Sequence, residues 1–70
     1  MMPLIYASPG EENIVHKVGG NPEVKRHLEN LGFTPGGSVT LVSVLGGNVI
    51  VKVKESRIAL NEDMARKIMV

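Results

Sequence analysis

The sequence has no cysteine and no tryptophan, and its only aromatic residues are Tyr6 and Phe33. Without cysteine, the chain has no disulfide framework and no thiolate ligands for zinc or an iron–sulfur cluster, and this composition fits a reducing compartment. Two aromatic residues are too few for the stacking platforms on which proteins bind single-stranded nucleic acid. These absences exclude a disulfide scaffold and disfavour nucleic acid as a partner.

A strong excess of one charge and long apolar runs are also missing. Eight basic and seven acidic residues give a formal net charge of +1, which is too small for a field that gathers phosphates. No apolar run approaches the roughly 20 residues of a membrane span, and the N-terminus has no basic region of the signal-peptide kind. We expect a cytoplasmic protein that neither inserts into a membrane nor binds nucleic acid.

The groups needed for catalysis are not arranged as a site. The chain has two histidines and one tyrosine, and its serines lie in or beside turns and strands with no base at a recognisable spacing. Its glycine pairs are not followed by the Gly-Lys-Ser/Thr run of a phosphate-binding loop. We therefore predict a binding protein and no enzyme.

The length of 70 residues and a hydrophobic content of 43% predict a single folded domain over residues 1–70. Its clearest element is a helix at residues 22–31, where Asn21 is a capping side chain and proline occupies the first helical position. The apolar stripe consists of Val24, Leu28 and Leu31. Gly32 ends the helix, and Phe33 is expected to fold back onto the stripe.

A tight type II turn is predicted at residues 34–37, and a β-hairpin follows it. Residues 38–45 and 48–54 are rich in β-branched side chains and are separated by a glycine pair. The apolar positions of the first strand change face after Leu41, which indicates a bulge.

The two ends of the chain show weaker patterns. Residues 3–7 are expected to be a first strand or extended segment, residues 11–13 an exposed loop, and residues 14–18 a second strand with weak alternation. A short strand is predicted at residues 57–60. Asn61 then caps a helical turn, and the apolar C-terminus is expected to form a final strand. About five short strands with one inserted helix are typical of a small, partly open barrel.

The order of these motifs resembles the FeoA family, small cytosolic proteins of bacterial ferrous iron uptake. The resemblance rests on a Leu-x-x-Leu-Gly-Phe-x-Pro-Gly run at residues 28–36, on an Ile-Ala-Leu run at residues 58–60, and on a Pro-Gly-Glu turn at residues 9–11. It implies a mainly β fold, an SH3-like five-stranded barrel with one inserted α-helix and a short C-terminal helical turn. It also implies an accessory protein that binds the cytosolic GTPase region of the membrane ferrous iron transporter FeoB and modulates it. No enzyme activity is implied, and we expect no cofactor unless a divalent transition metal binds.

Three candidate sites remain open at this point. Lys52, Lys54 and Arg57 could share one face of the sheet and bind the partner, although lysines also protect a solvated sheet edge from pairing. An alternative function is a metal-binding regulatory domain, like the C-terminal domain of repressors similar to the diphtheria toxin regulator, with a divalent transition metal on His16 or His27. Carboxylates that could complete such a site are Glu12, Glu23 and Asp63. A small-barrel RNA binder would also use Lys25 and Arg26.

Overall fold

Two antiparallel sheets and two helices surround one apolar core in the computed structural model, which describes all 70 residues. The elements are a 3₁₀ turn at Leu4–Tyr6, β1 (Glu12–Ile14), β2 (Lys17–Val18), α1 (Pro22–Leu31), β3 (Ser38–Leu45), β4 (Asn48–Val53), β5 (Ser56–Asn61), α2 (Glu62–Ala65) and β6 (Ile68–Met69). The larger sheet has the order β1-β3-β4-β5, and the smaller sheet pairs β2 with β6. No helix of the chain is long and apolar enough to span a bilayer.

Helix α1 has the start, face and end that the sequence predicts. The side chain of Asn21 accepts a hydrogen bond of 2.8 Å from the backbone N–H of Val24, and Gly32 closes the helix with a φ of 113°. The N–H of Phe33 donates to the carbonyl of Leu28, so the chain reverses and places the Phe33 ring in the core. Leu28 is fully buried, whereas Leu31 is half-buried.

The hairpin and the C-terminal elements are also confirmed. The register between β3 and β4 shifts between Leu41 and Ser43, which is the predicted bulge. Asn61 caps α2 with a hydrogen bond of 2.8 Å from the N–H of Met64, and β6 forms the final strand. The core is a single cluster of 15 buried residues, and every element except β1 contributes at least one of them.

The N-terminal predictions need correction. Residues 3–7 are not a strand, because the N–H groups of Tyr6 and Ala7 donate to the carbonyls of Pro3 and Leu4 and close a 3₁₀ turn that buries Leu4. The predicted loop at residues 11–13 lies mostly in β1. The fold therefore has six strands in two sheets where the sequence suggested five.

The predicted strand at residues 14–18 is split between the two sheets. Ile14 ends β1 beside β3, and Val15 exchanges hydrogen bonds with the backbone of Gly36 and Gly37. The N–H of His16 then donates to Met69, and β2 continues beside β6. Because the backbone passes from one sheet to the other here, its side chains lose the alternation of a regular strand.

Candidate partner-binding face

The larger sheet has one face in the core and one face in solvent. In β4, the side chains of Val49, Val51 and Val53 are buried, so Ile50 and Lys52 point outward. We call this solvent side of β1, β3, β4 and β5 the outer face. The predicted basic residues Lys52, Lys54 and Arg57 lie together on or beside this face.

Four polar side chains form one row across the outer face. Glu12 of β1 is the register partner of Thr40 of β3, Thr40 pairs with Lys52 of β4, and Lys52 pairs with Arg57 of β5. Neighbouring strands lie about 4.8 Å apart, and β3 lies between β1 and β4. The backbones at Glu12 and Lys52 are therefore about 10 Å apart across the sheet. The row therefore has an acidic residue on the edge strand β1 and two basic residues on β4 and β5.

A groove with a volume of about 300 Å³ lies beside this row. Ser38, Val39 and Thr40 of β3 line it together with Glu12 on the β1 side and with Lys52 and Lys54 on the β4 side. The structure thus brings Lys52 and Lys54 into one groove, and it places Arg57 next to Lys52 on β5, outside the groove.

Lys54 has an unusual backbone conformation. It forms with Glu55 a two-residue turn between β4 and β5, and its φ of 56° makes it the only residue other than glycine with a positive φ. Glycine and asparagine are preferred at such positions, because a longer side chain there has a steric cost. A lysine in this place stabilises the fold less than glycine or asparagine would.

The pair formed by Lys52 and Arg57 is also locally unfavourable. Same-sign charges directly opposite each other on antiparallel strands destabilise the pairing. Neither residue is relieved by an ion pair, because the only ion pair of the chain joins Arg66 to Glu62 at 3.9 Å. The positive φ of Lys54 and the like-charge pair of Lys52 and Arg57 both oppose stability. Both features involve the same three basic residues, which we call the basic cluster.

The histidines are not assembled with other ligands. His16 lies between β1 and β2 and His27 on α1, and both side chains are exposed. No group of three or more His, Cys, Asp or Glu side chains is placed to hold a metal ion. Of the other RNA-binding candidates, Lys25 and Arg26 lie on α1 and not on the outer face.

A second polar cluster joins the N-terminal turn to α2. Nη1 of Arg66 donates a hydrogen bond of 2.9 Å to the Tyr6 hydroxyl, and the Arg66 guanidinium lies 5.8 Å from the centre of the Tyr6 ring. This hydrogen bond is the main cause that raises the pKa of Arg66 above its ordinary value. The contact joins an exposed side chain of the N-terminal turn to an exposed side chain at the end of α2.

Sequence reasoning missed the polar residues that complete the groove. Ser38 and Thr40 belong to the predicted hairpin, and their outward position follows from the alternation of β3 before the bulge. The sequence alone indicates Glu12 only as a metal ligand in an exposed loop. Its place opposite Thr40 depends on the pairing of β1 with β3, which no local pattern of residues indicates.

Comparisons with known proteins agree in one family. The model of the FeoA domain matches residues 2–70. Fe(2+) transport protein A of Methanocaldococcus jannaschii is 36% identical over 70 residues, which are 100% of this chain and 85% of that protein. The solution structure of iron(II) transport protein A from Clostridium thermocellum is similar with a TM-score of 0.88 and 26% identity, over 97% of this chain and 43% of that one.

A crystal structure of Stenotrophomonas maltophilia FeoA complexed with zinc is similar with a TM-score of 0.84 and 28% identity, over 99% of this chain and 88% of that one. That protein is described as a procaryotic SH3 domain protein. The SH3-like fold predicted from the sequence is therefore confirmed, although strand pairing does not close the two sheets into one barrel.

Proposed function

This chain belongs to the FeoA family, and we propose that it is a cytoplasmic accessory protein of ferrous iron uptake that binds the cytosolic GTPase region of the FeoB transporter and modulates it. The family match extends over residues 2–70 and links the chain to Fe(2+) transport. The proposal includes no catalytic step by this chain. In this proposal the chain acts by presenting a surface that the transporter region binds.

The observation that carries the proposal is the basic cluster of Lys52, Lys54 and Arg57 on the outer face. All three side chains are exposed, and none has a hydrogen bond or an ion pair within the chain. Basic residues arranged in this way attract an acidic surface and orient it during association. Natural proteins accept local costs of the kind seen at Lys54 mainly where a site needs them.

A calorimetric titration of the full chain with the cytosolic region of the transporter tests the proposal, with no nucleotide, with GDP and with a GTP analogue. We expect binding that weakens as salt rises and that differs between nucleotide states, because a modulator must distinguish two states of its target. Absence of heat in all three states at high micromolar concentration would contradict the proposal.

A metal-binding regulatory domain is the second candidate. The observation in its favour is that the related Stenotrophomonas maltophilia FeoA was solved with zinc. In this chain His16 and His27 are exposed on different elements, and no three ligand side chains are grouped. The basic outer face therefore supports the docking proposal better.

A further inference from the structure

We infer that the groove on the outer face receives an acidic side chain from an extended segment of a partner protein, and that Lys52 and Lys54 bind its carboxylate. The inference rests on the proposed function in taking the ligand to be a protein. The groove, with a volume of about 300 Å³, has the size of a small ligand pocket, and β3 forms its floor. An extended segment fits such a shallow groove because one side chain can enter it while the neighbours remain outside.

The two walls of the groove carry opposite charge. Glu12 lines the β1 side, and Lys52 and Lys54 line the β4 side. Glu12 and Lys52 do not form an ion pair across β3. A carboxylate in the groove is therefore attracted toward β4 and repelled from β1, which gives the segment a preferred placement.

The polar groups that line the groove are free to bind a ligand. The four side-chain hydrogen bonds of the chain involve other residues, so the Ser38 and Thr40 hydroxyls and both ammonium groups have no partner in the protein. An ammonium group with neighbouring hydroxyl donors is suited to a carboxylate, because charge-assisted hydrogen bonds are stronger than neutral ones.

The net charge of the groove favours a carboxylate over phosphate. Lys52 and Lys54 supply two positive charges, and Glu12 removes one. A carboxylate carries a single negative charge and balances this net charge of +1, whereas phosphate at neutral pH carries about −1.5 to −2 and leaves an excess of negative charge beside Glu12. The ligand class that the groove fits is thus an acidic peptide.

The test is an NMR titration of the isotope-labelled full chain with three probes: a blocked tetraglutamate peptide, a blocked tetralysine peptide and inorganic phosphate. We expect tetraglutamate to shift the backbone amides of Thr40, Lys52 and Lys54, and tetralysine to leave these amides unshifted. Equal shifts with phosphate at the same concentration, or shifts confined to other parts of the chain, would overturn the inference.

Two single substitutions test the opposite walls. Lys54→Gly should weaken tetraglutamate binding roughly two- to five-fold, the range of an exposed charge pair, and should raise the melting temperature because glycine accepts the positive φ. Glu12→Gln should strengthen binding by roughly the same factor.

Lys25→Gln on α1 is the control, because it removes the same charge as Lys54→Gly and should leave the affinity for tetraglutamate unchanged. Affinities of Lys54→Gly and Glu12→Gln that equal the wild type would overturn the inference.

The same variants separate this inference from the proposed function. If the transporter region does not bind the wild type but tetraglutamate binds as described, the proposed function fails and the groove assignment stands. If the region binds the wild type, Lys54→Gly and Glu12→Gln equally well and tetraglutamate causes no shifts, the groove assignment fails and the proposed function stands.

Discussion

Lys52 and Arg57 lie directly opposite each other on β4 and β5, and neither forms an ion pair. A like-charge pair in this position opposes the strand pairing, whereas an opposite-charge pair contributes roughly 0.2 to 1 kcal/mol to it. We predict that Arg57→Glu raises the free energy of unfolding by about 0.5 to 1 kcal/mol in urea denaturation. The same substitution should weaken binding of the transporter region, because it reverses a charge of the basic cluster.

Arg57→Gln is the matched control for this prediction. It removes the repulsion from Lys52 without adding an attraction, so its stability should lie between those of the wild type and Arg57→Glu. A lower stability of Arg57→Glu than of the wild type would show that the two charges do not oppose the fold.

Two leucines of α1 differ in burial and should differ in their contribution to stability. Leu28 is fully buried, so Leu28→Ala should lower the free energy of unfolding by about 2 to 5 kcal/mol. Leu31 is half-buried, and Leu31→Ala should cost about 1 to 2 kcal/mol. Thermal unfolding of the two variants checks the order, and equal losses would show that the helix face is assigned wrongly.

The helix end at Gly32 tolerates no larger residue without strain. Its φ is 113°, and a Cβ there would lie 3.3 Å from Cγ2 of Val53. Gly32→Ala should therefore lower the free energy of unfolding by about 1 to 3 kcal/mol. Gly47→Ala is the control, because a Cβ at Gly47 has no neighbour within 4 Å, and its melting temperature should remain close to that of the wild type.

The exposed histidines give a prediction about metal. Because His16 and His27 are not grouped with further ligands, ferrous, manganous and zinc ions should leave the melting temperature unchanged. His16→Ala and His27→Ala should bind the transporter region as the wild type does. A rise of the melting temperature with metal that one of these substitutions abolishes would support the metal-binding alternative.

The sequence predicted well where local signals agree. At α1, the cap at Asn21, the apolar stripe and the left-handed Gly32 all indicate the same helix, and the structure confirms each of them. The bulge after Leu41 was predictable because apolar positions on both sides of it change face. These features depend on residues close together in the chain.

The parts that sequence reasoning missed depend on contacts between distant segments. Residues 12–18 change from one sheet to the other at Val15, and their burial reflects β3 on one side and β6 on the other. The 3₁₀ turn that buries Leu4 is not predictable from its residues, because a short apolar run is compatible with both a strand and a helical turn. The groove has the same origin, since Glu12 reaches it only through the register of β1 with β3.

We propose that the basic cluster on the outer face binds the cytosolic region of the transporter. The most direct measurement compares two triple charge reversals by calorimetric titration with that region: Lys52→Glu, Lys54→Glu and Arg57→Glu together, and Lys17→Glu, Lys25→Glu and Arg26→Glu together. Both variants have the same net charge, so a difference between them reports position on the surface. We predict that the first variant loses at least about ten-fold in affinity, about 1.4 kcal/mol, and that the second binds nearly as the wild type does. Equal affinities of the two variants would show that the basic cluster does not form the binding surface.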